Sequence, residues 1–179
     1  SNSLWMTPIE GSKALFVTED PLDAIAHSQL FPGARYAYLC TGGTSTKAQR
    51  EMIHSFSQKF KLPIILGNDN DLAGQLENFK LAYHTANIEY AINSKTQRVL
   101  LTVNGAEREW GKDEIVAALQ AVMKQRPNMI LSIPWAKDWN DDLRSSKKSI
   151  SLRIAENMAR VQIETTKSEQ RGMIAGKLP

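Results

Sequence analysis

The sequence predicts an α/β fold with a mainly parallel sheet and helices on both faces. Strand-like and helix-like runs alternate along the chain, which is typical of this class. Residues 62–67 form a continuous apolar run, as expected for a central parallel strand that is covered on both sides. The chain has 179 residues, of which 42% are hydrophobic, so one domain can bury a core.

The first strand–helix units follow in order. Ala14–Thr18 predicts a strand and Pro21–Leu30 a helix, because Asp20 suits the helix cap and proline suits the first helical position. A second strand over residues 34–39 runs into the loop CTGGT at residues 40–44. These two units are expected to lie side by side in the sheet.

The next helix is predicted over Lys47–Phe60, where Thr46 and Gln49 have the spacing of a capping box. The apolar strand at residues 62–67 comes next and is followed by the acidic sequence NDND. A helix over residues 72–87 then places its apolar side chains on one face.

A β-hairpin is predicted in the less regular second half. Ile88–Asn93 is predicted as a strand. Arg98–Val103 and Ala106–Trp110 flank the dipeptide Asn104-Gly105, which strongly favours a two-residue turn. A helix over residues 112–125 follows this hairpin.

The domain organisation is predicted from these elements. Residues 129–134 read as the last core strand and residues 149–164 as a C-terminal helix. We therefore predict one domain over residues 14–148 with an insertion at about 93–127, preceded by a tag scar and lead-in (1–13) and followed by a C-terminal helix and loose tail (149–179).

Charge and cysteine content narrow the function classes. The net charge is +3, and the stretch from Lys137 onward holds nine Lys and Arg against six Asp and Glu. This bias is compatible with nucleic-acid binding and equally with a solvated helix. Cys40 is the only cysteine, which excludes an internal disulfide and a cysteine-based zinc cluster. There is no apolar run of membrane-spanning length, so we expect no membrane partner and a cytoplasmic location.

Acidic residues follow three of the predicted parallel strands: Glu19, then Asp69 and Asp71, then Asp138. Ligands of open α/β sheets bind at the edge formed by the carboxyl ends of the strands. Clustered carboxylates there suit Mg²⁺, which takes one or two carboxylates, keeps several waters and then binds phosphate. The sequence thus predicts a magnesium site on this edge.

Each nearby acid also has a purely structural interpretation. Asp71 and Asp20 can cap the helices that follow them. Asp23 can simply occupy the first turn of its helix, where the dipole favours acids. Asp141 and Asp142 can be a further helix cap and a solvated charge.

Four segments together resemble a known family. FVTEDPLDAIA resembles the first motif of TOPRIM domains, LGNDNDLAG the second, and KDWNDDL the Lys-Asp-x-Asn segment of primase-like members, while CTGGT lies where relatives carry a glycine turn. The resemblance covers about residues 14–143 apart from the insertion. Within this family, the sequence most resembles the TOPRIM domains in mobilisation and replication proteins of plasmids and conjugative elements.

The resemblance implies a role for each matching residue. Glu19 would be the general acid/base or a carboxylate of the metal site. Asp69 and Asp71 would hold Mg²⁺, with Mn²⁺ as a substitute, and Asp138 would support the metal site. Lys137 would contact phosphate or, equally, extend along the surface into solvent. The basic C-terminal part of the chain, rather than the resemblance, predicts further phosphate contacts at Arg144, Lys147 and Lys148. The sequence departs from the family at Asp20, where many relatives have glycine, so phosphate approach beside Glu19 is in question.

The resemblance implies Mg²⁺-dependent chemistry on nucleic-acid phosphodiesters, either primase-like nucleotidyl transfer or strand processing, inside a larger DNA mobilisation or replication protein. Two other functions stay open: a metal-dependent nuclease, and a non-catalytic module that binds nucleic acid or protein. The expected partners are single-stranded DNA or RNA, nucleotides and other domains of a longer polypeptide. The sequence offers no catalytic triad and no GxxxxGK[ST] phosphate loop.

Overall fold

The computed structural model describes residues 2–146. Lys147, Lys148 and the predicted C-terminal helix at 149–164 lie outside the described residues. The strands are β1 (Trp5–Met6), β2 (Ala14–Thr18), β3 (Tyr36–Cys40), β4 (Ile64–Leu66), β5 (Ile88–Asn93), β6 (Arg98–Val103), β7 (Ala106–Trp110) and β8 (Met129–Leu131). The helices are α1 (Pro21–Leu30), α2 (Lys47–Phe60), α3 (Leu72–Ala82), α4 (Lys112–Met123) and α5 (Trp139–Ser146).

The central sheet has five strands in the order β1-β3-β2-β4-β8. All its neighbouring pairs are parallel except β1 with β3. The predicted α/β fold with a mainly parallel sheet is therefore confirmed. Strand β2 is buried along its whole length because strands flank it on both sides and helices cover both faces.

Helices cover both faces of the sheet, and the alternation of side chains along β2 shows how. Leu15 and Val17 point into a core that includes side chains of α2, α3 and α4. Phe16 points to the opposite face, where α1 and α5 pack and where Trp139 is 2% exposed. Successive side chains of a β-strand point to opposite faces of the sheet, so neighbouring residues of β2 contribute to different cores. The two cores fix the helices, and the helices in turn fix the loops at the sheet edge.

A second, antiparallel sheet has the order β5-β6-β7. Its predicted β6–β7 hairpin is confirmed: Asn104 and Gly105 both have positive φ, 51° and 86°, and Val103 pairs with Ala106. Strand Ile88–Asn93 pairs within this sheet, so β8 is the last strand of the central sheet. Val99 from the second sheet is buried in the same core as α4.

Several element boundaries differ from the sequence expectation. The helix predicted over residues 72–87 ends at Ala82 instead, because Asn87 is held elsewhere. The backbone N–H of Asn87 bonds to Asn104 Oδ1 at 3.0 Å, and the Asn104 N–H bonds back to the Asn87 oxygen at 2.9 Å. The hairpin turn thus removes the last predicted residues from the helix.

Helix α5 was not predicted, although the sequence does cap it. Asp138 immediately precedes the helix, and its Oδ1 accepts the backbone N–H of Asp141 at 2.7 Å. Asp142, interpreted from sequence as a cap or a solvated charge, is buried at 4% exposure. It accepts the backbone N–H groups of Trp135 and Ala136, each at 2.8 Å, and so fixes the loop before the helix.

Candidate metal centre

Glu19 directly follows β2 and lies beside a glycine turn. The backbone N–H of Gly42 donates to the backbone oxygen of Glu19 at 2.8 Å, and the backbone N–H of Thr41 donates to the backbone oxygen of Thr18 at 3.1 Å. Gly42 and Gly43 have φ values of 69° and 112°, a region that strongly favours glycine. The CTGGT loop therefore sets the backbone position of Glu19, whose side chain remains half-buried.

The Asp69-Asn70-Asp71 turn connects β4 to α3. Asp71 caps α3: its Oδ1 accepts the N–H of Gly74 at 2.9 Å. A Cβ on Gly74 would lie 2.3 Å from the Asp69 backbone oxygen, so glycine is needed for the close approach of helix and turn. Gln75 Nε2 also donates to that oxygen, at 2.8 Å. The turn is thus held through its backbone, and the Asp69 side chain is left facing the sheet edge.

A cation lies between the two carboxylates of this turn. Lys137 Nζ is 4.0 Å from Asp69 Oδ2 and 3.8 Å from Asp71 Oδ2. The capping function of Asp71 uses Oδ1 and leaves Oδ2 for this contact. The predicted cap and the predicted metal-facing role are thus compatible in one side chain. Lys137 was predicted to contact phosphate. Its side chain is 61% exposed and lies beside the carboxylates of Asp69 and Asp71, which with Glu19, Asp23 and Asp138 are called the acidic cluster.

Asp138 reaches the same edge from the far end of the chain sequence. The residue before it contacts the acidic turn, because the backbone N–H of Asn70 donates to the backbone oxygen of Lys137 at 2.7 Å. Burial, and then neighbouring charges that include Asp138, raise the pKa values of Asp69 and Asp23. One of its oxygens is engaged in capping α5. Glu19 follows β2 and the Asp69-Asn70-Asp71 turn follows β4, so both lie at the carboxyl edge of these parallel neighbours, and Asp138 follows a residue that bonds to the turn. The roles expected for these four residues stay predictions.

Asp23 belongs to this cluster, although its position in the first turn of α1 also fits a purely structural role. It is 6% exposed and accepts a hydrogen bond of 3.0 Å from Asn140 Nδ2. Burial and then the charge of Asp138 raise the pKa of Asp23 to about 6. The signal in the sequence was the Asp-Ala pair at the start of α1, but no spacing rule indicated its partner Asn140.

Glu77 is a second acid that the sequence analysis missed. It lies within α3, is buried, and pairs with Lys80 at 2.6 Å. Its Oε2 accepts both the backbone N–H of Ser45, at 3.0 Å, and the Ser45 hydroxyl, at 2.7 Å. Glu77 therefore ties α3 to the segment that follows the glycine turn next to Glu19.

Three carboxyl groups of the acidic cluster, those of Asp69, Asp23 and Glu19, have pKa values above their ordinary range. Burial raises the pKa of Asp69 to about 7, and the charges of Asp23, Asp71 and Asp138 add to the shift, against the opposing charge of Lys137. Burial also raises the pKa of Glu19, with further contributions from the charges of Glu77, Asp71 and Asp20. Crowded carboxylates resist full ionisation until a cation neutralises them.

The predicted nucleic-acid contacts are only partly described. Arg144 is 81% exposed on its side chain and lies 3.5 Å from Asp141. Trp139 packs in the core, where its Nε1–H donates to the Gly67 oxygen at 2.7 Å. Trp139 therefore has a structural role. Trp135 is 52% exposed.

The carboxylates of this edge fit a cation that keeps part of its hydration shell. Within residues 2–146, no three His, Cys, Asp or Glu side chains are grouped tightly enough to hold a metal ion by themselves. The Asp69 and Asp71 carboxylates nevertheless both approach the Lys137 ammonium. This arrangement fits an ion that takes one or two carboxylates and keeps most of its water, as Mg²⁺ does.

The fold and this edge define an α/β protein with clustered carboxylates at the carboxyl ends of its parallel strands. Residues 16–99 match the family model described as Toprim-like, just under half of the chain. The matched range includes Glu19, both glycines of the CTGGT loop, Asp69 and Asp71, whereas Asp138 lies beyond it. The match supports a TOPRIM domain, and such a domain implies metal-dependent nucleic-acid processing in general.

Further comparisons add no named relative. Neither the curated proteins nor the solved structures contain a match to this chain. Among the described helices, none combines the length and the apolar character needed to cross a membrane.

Proposed function

We propose that this chain carries out Mg²⁺-dependent chemistry on nucleic-acid phosphodiesters. The reaction proposed is primase-like nucleotidyl transfer or strand processing, and the chain is proposed to be one domain of a larger DNA mobilisation or replication protein. One observation carries the proposal: the carboxylates of Asp69 and Asp71 converge on a single cation, Lys137 Nζ. They do so at the carboxyl edge of a parallel sheet, where ligands of such folds bind.

The roles proposed for the side chains follow from their surroundings. Asp69 and Asp71 would hold the metal ion, and Asp138 would support them by its charge. When bound, Mg²⁺ supplies charge neutralisation at a phosphoryl oxygen. Glu19 is suited to acid/base work because burial and its acidic neighbours raise its pKa above the ordinary value for glutamate, which lets it hold a proton.

Metal binding is tested with Mn²⁺ on the full chain, followed by electron paramagnetic resonance. The wild type is expected to bind one ion, and Asp71→Asn to bind it at least tenfold more weakly. Glu107→Gln is the matched control, since Glu107 is an exposed acid on β7 away from the turn. Equal binding by all three proteins would remove the proposed site.

The reaction is tested by running primer synthesis and nicking assays side by side with Mg²⁺. Primer synthesis that is lost in Glu19→Gln supports nucleotidyl transfer. Nicking that is lost in the same variant assigns a nuclease instead. Metal binding without either activity assigns a binding module.

Nucleic-acid binding is proposed at the basic residues Lys137, Arg144, Lys147 and Lys148. Lys and Arg contacts to phosphate release counterions, so affinity for single-stranded DNA or RNA should fall steeply with salt. Replacing Arg144, Lys147 and Lys148 together by Ala should weaken binding alike for all sequences, as measured by fluorescence anisotropy. Unchanged affinity would assign the three residues to a solvated face.

A further inference from the structure

Lys112 of helix α4 contacts the middle residue of the acidic turn. It is the first residue of α4, immediately after the antiparallel sheet. Its Nζ lies 3.3 Å from the backbone oxygen of Asn70 and 3.3 Å from Asn70 Oδ1. Asn70 is the middle residue of the turn whose two ends are Asp69 and Asp71.

The turn is held by its middle residue. The Asn70 backbone N–H donates to the Lys137 oxygen at 2.7 Å, and its Nδ2 donates to the Pro134 oxygen at 3.1 Å. Both acceptors belong to the loop between β8 and α5. Lys112 engages the two remaining polar atoms of Asn70, its oxygens. All four polar atoms of Asn70 are thus paired, while Oδ2 of both adjacent carboxylates faces Lys137.

Lys112 also decides the orientation of the Asn70 amide. An ammonium group only donates hydrogen bonds, so the atom that faces it must be the amide oxygen. The amide nitrogen is then directed to Pro134, where a backbone oxygen accepts it. The side chain of Asn70 can therefore bridge α4 and the β8–α5 loop in one orientation only.

The backbone that carries Lys112 is itself well anchored. Ile115 and Leu119, on the inner face of α4, are fully buried. Glu114 accepts the N–H of Gly111 at 2.7 Å and pairs with Arg98 of the second sheet at 2.9 Å. The first turn of α4 is thus fixed to β6, and Lys112 transmits that position to the acidic turn.

We propose that Lys112 is a positioning residue that fixes the conformation of the Asp69-Asn70-Asp71 turn and thereby raises its affinity for a divalent cation. The part about the cation rests on the function proposed above. The part about the turn does not, because the hydrogen bonds to Asn70 join protein atoms only.

The sign of the metal effect separates positioning from simple electrostatics. Removing a positive charge next to an acidic turn should, by charge alone, strengthen the binding of a divalent cation. Loosening the turn should weaken the binding of the cation, because the carboxylates then lose conformational freedom when the ion binds. A drop in affinity after loss of Lys112 therefore reports its positioning role.

The test compares Lys112→Met with Lys124→Met in the 179-residue chain. Lys124 is the exposed residue that caps the other end of α4, so its loss removes the same charge from the same helix. Amide hydrogen exchange of Asn70 is followed by NMR without metal, and Mn²⁺ affinity by electron paramagnetic resonance. Lys112→Arg, which keeps the charge and the donors, serves as the rescue variant.

In Lys112→Met, the Asn70 amide should exchange at least tenfold faster, and the Mn²⁺ dissociation constant should rise about tenfold, the lower end for loss of a supporting residue. Lys124→Met should change neither quantity, and Lys112→Arg should restore most of both. Circular dichroism and Tm should show that all three variants remain folded.

Two results overturn the inference: unchanged exchange of the Asn70 amide, or tighter Mn²⁺ binding in Lys112→Met than in the wild type. Failure of the wild type to bind Mn²⁺ is a different result. It would remove the proposed metal function, and the exchange experiment alone would then decide whether Lys112 fixes the turn.

Discussion

The ammonium of Lys137 lies 3.8 Å from Oδ2 of Asp71, where it neutralises part of the charge of the acidic edge. It also lies 4.0 Å from Asp69 Oδ2. A divalent ion binding to these oxygens must share the space with the ammonium or displace it. Lys137 is mostly exposed, so its side chain is free to move outward.

Replacing Lys137 by Met should therefore strengthen metal binding while it weakens phosphate contact. We expect the Mn²⁺ dissociation constant to fall by about threefold to tenfold, in line with a surface ion-pair energy of roughly 1 kcal/mol. Affinity for single-stranded DNA should fall in the same variant. Titrations with Mn²⁺ and with a labelled oligonucleotide measure both, and Lys124→Met is the charge-matched control. Weaker Mn²⁺ binding would show that Lys137 supports the metal site instead of competing with it.

Asp71→Asn should leave the metal-free protein equally stable or more stable. Asparagine caps helices about as well as aspartate, and the charge of Asp71 raises the pKa values of Asp69 and Glu19, so its removal relieves repulsion. The variant should also lose the rise in Tm that Mg²⁺ gives the wild type by binding only the folded state. Thermal melts with and without Mg²⁺ test both points. A much lower Tm without metal, together with a retained gain from Mg²⁺, would make Asp71 purely structural.

Asp69 should make stability depend on pH in a defined direction. Its pKa in the folded protein is raised to about 7, mainly by burial, whereas an unfolded aspartate titrates near 4. Between these values the folded state binds more protons, so the metal-free protein loses stability as pH rises. Buried His27 and His54 act oppositely, because burial lowers their pKa values to about 3 and about 4.

Comparison with Asp69→Asn isolates this effect from the histidines. The variant should gain stability relative to the wild type as pH rises from about 4 to about 7. The gain should be roughly 2 kcal/mol, about half of what a shift of three pKa units gives, because water screens a half-buried carboxylate. Urea unfolding at pH 4.5 and at pH 8, without metal, measures the difference. A difference that is constant with pH would mean that the Asp69 pKa is not raised.

Gly74→Ala should damage the acidic turn through backbone contact. The added Cβ would lie 2.3 Å from the Asp69 oxygen and 2.7 Å from its nitrogen, so the turn or the helix must shift. Overpacking of this kind costs about 1–3 kcal/mol. Gly33→Ala is the matched control, since nothing lies within 4 Å of its added Cβ. The free energy of unfolding in urea and the affinity for Mn²⁺ should both fall in Gly74→Ala. Both should stay near the wild-type values in Gly33→Ala.

Local sequence was enough to predict the features that depend on near neighbours. The capping box of Thr46 and Gln49 is present as predicted, and so is the hairpin at Asn104-Gly105. The positions of the acids after β2 and β4 followed from strand periodicity, because parallel strands end at one edge of a sheet. These patterns act over a few residues, so the sequence displays them directly.

The details of the site depended on contacts between distant segments. Asn140 contacts Asp23 across 117 positions of the chain, and Lys112 contacts Asn70 across 42. No periodicity or spacing rule relates such residues, because their separation is set by how α4, α5 and the sheet pack. The same packing buries Asp142 and pairs Glu77 with Ser45.

The sequence by itself determined the α/β class, the order of the core strands along the chain and the acidic residues at their ends, because helix, strand and turn preferences are local. Only the tertiary structure decided which acids are buried, which carry raised pKa values and which lysines face the turn. Burial and electrostatic coupling depend on distances through space, and those distances exist only once the two cores have packed.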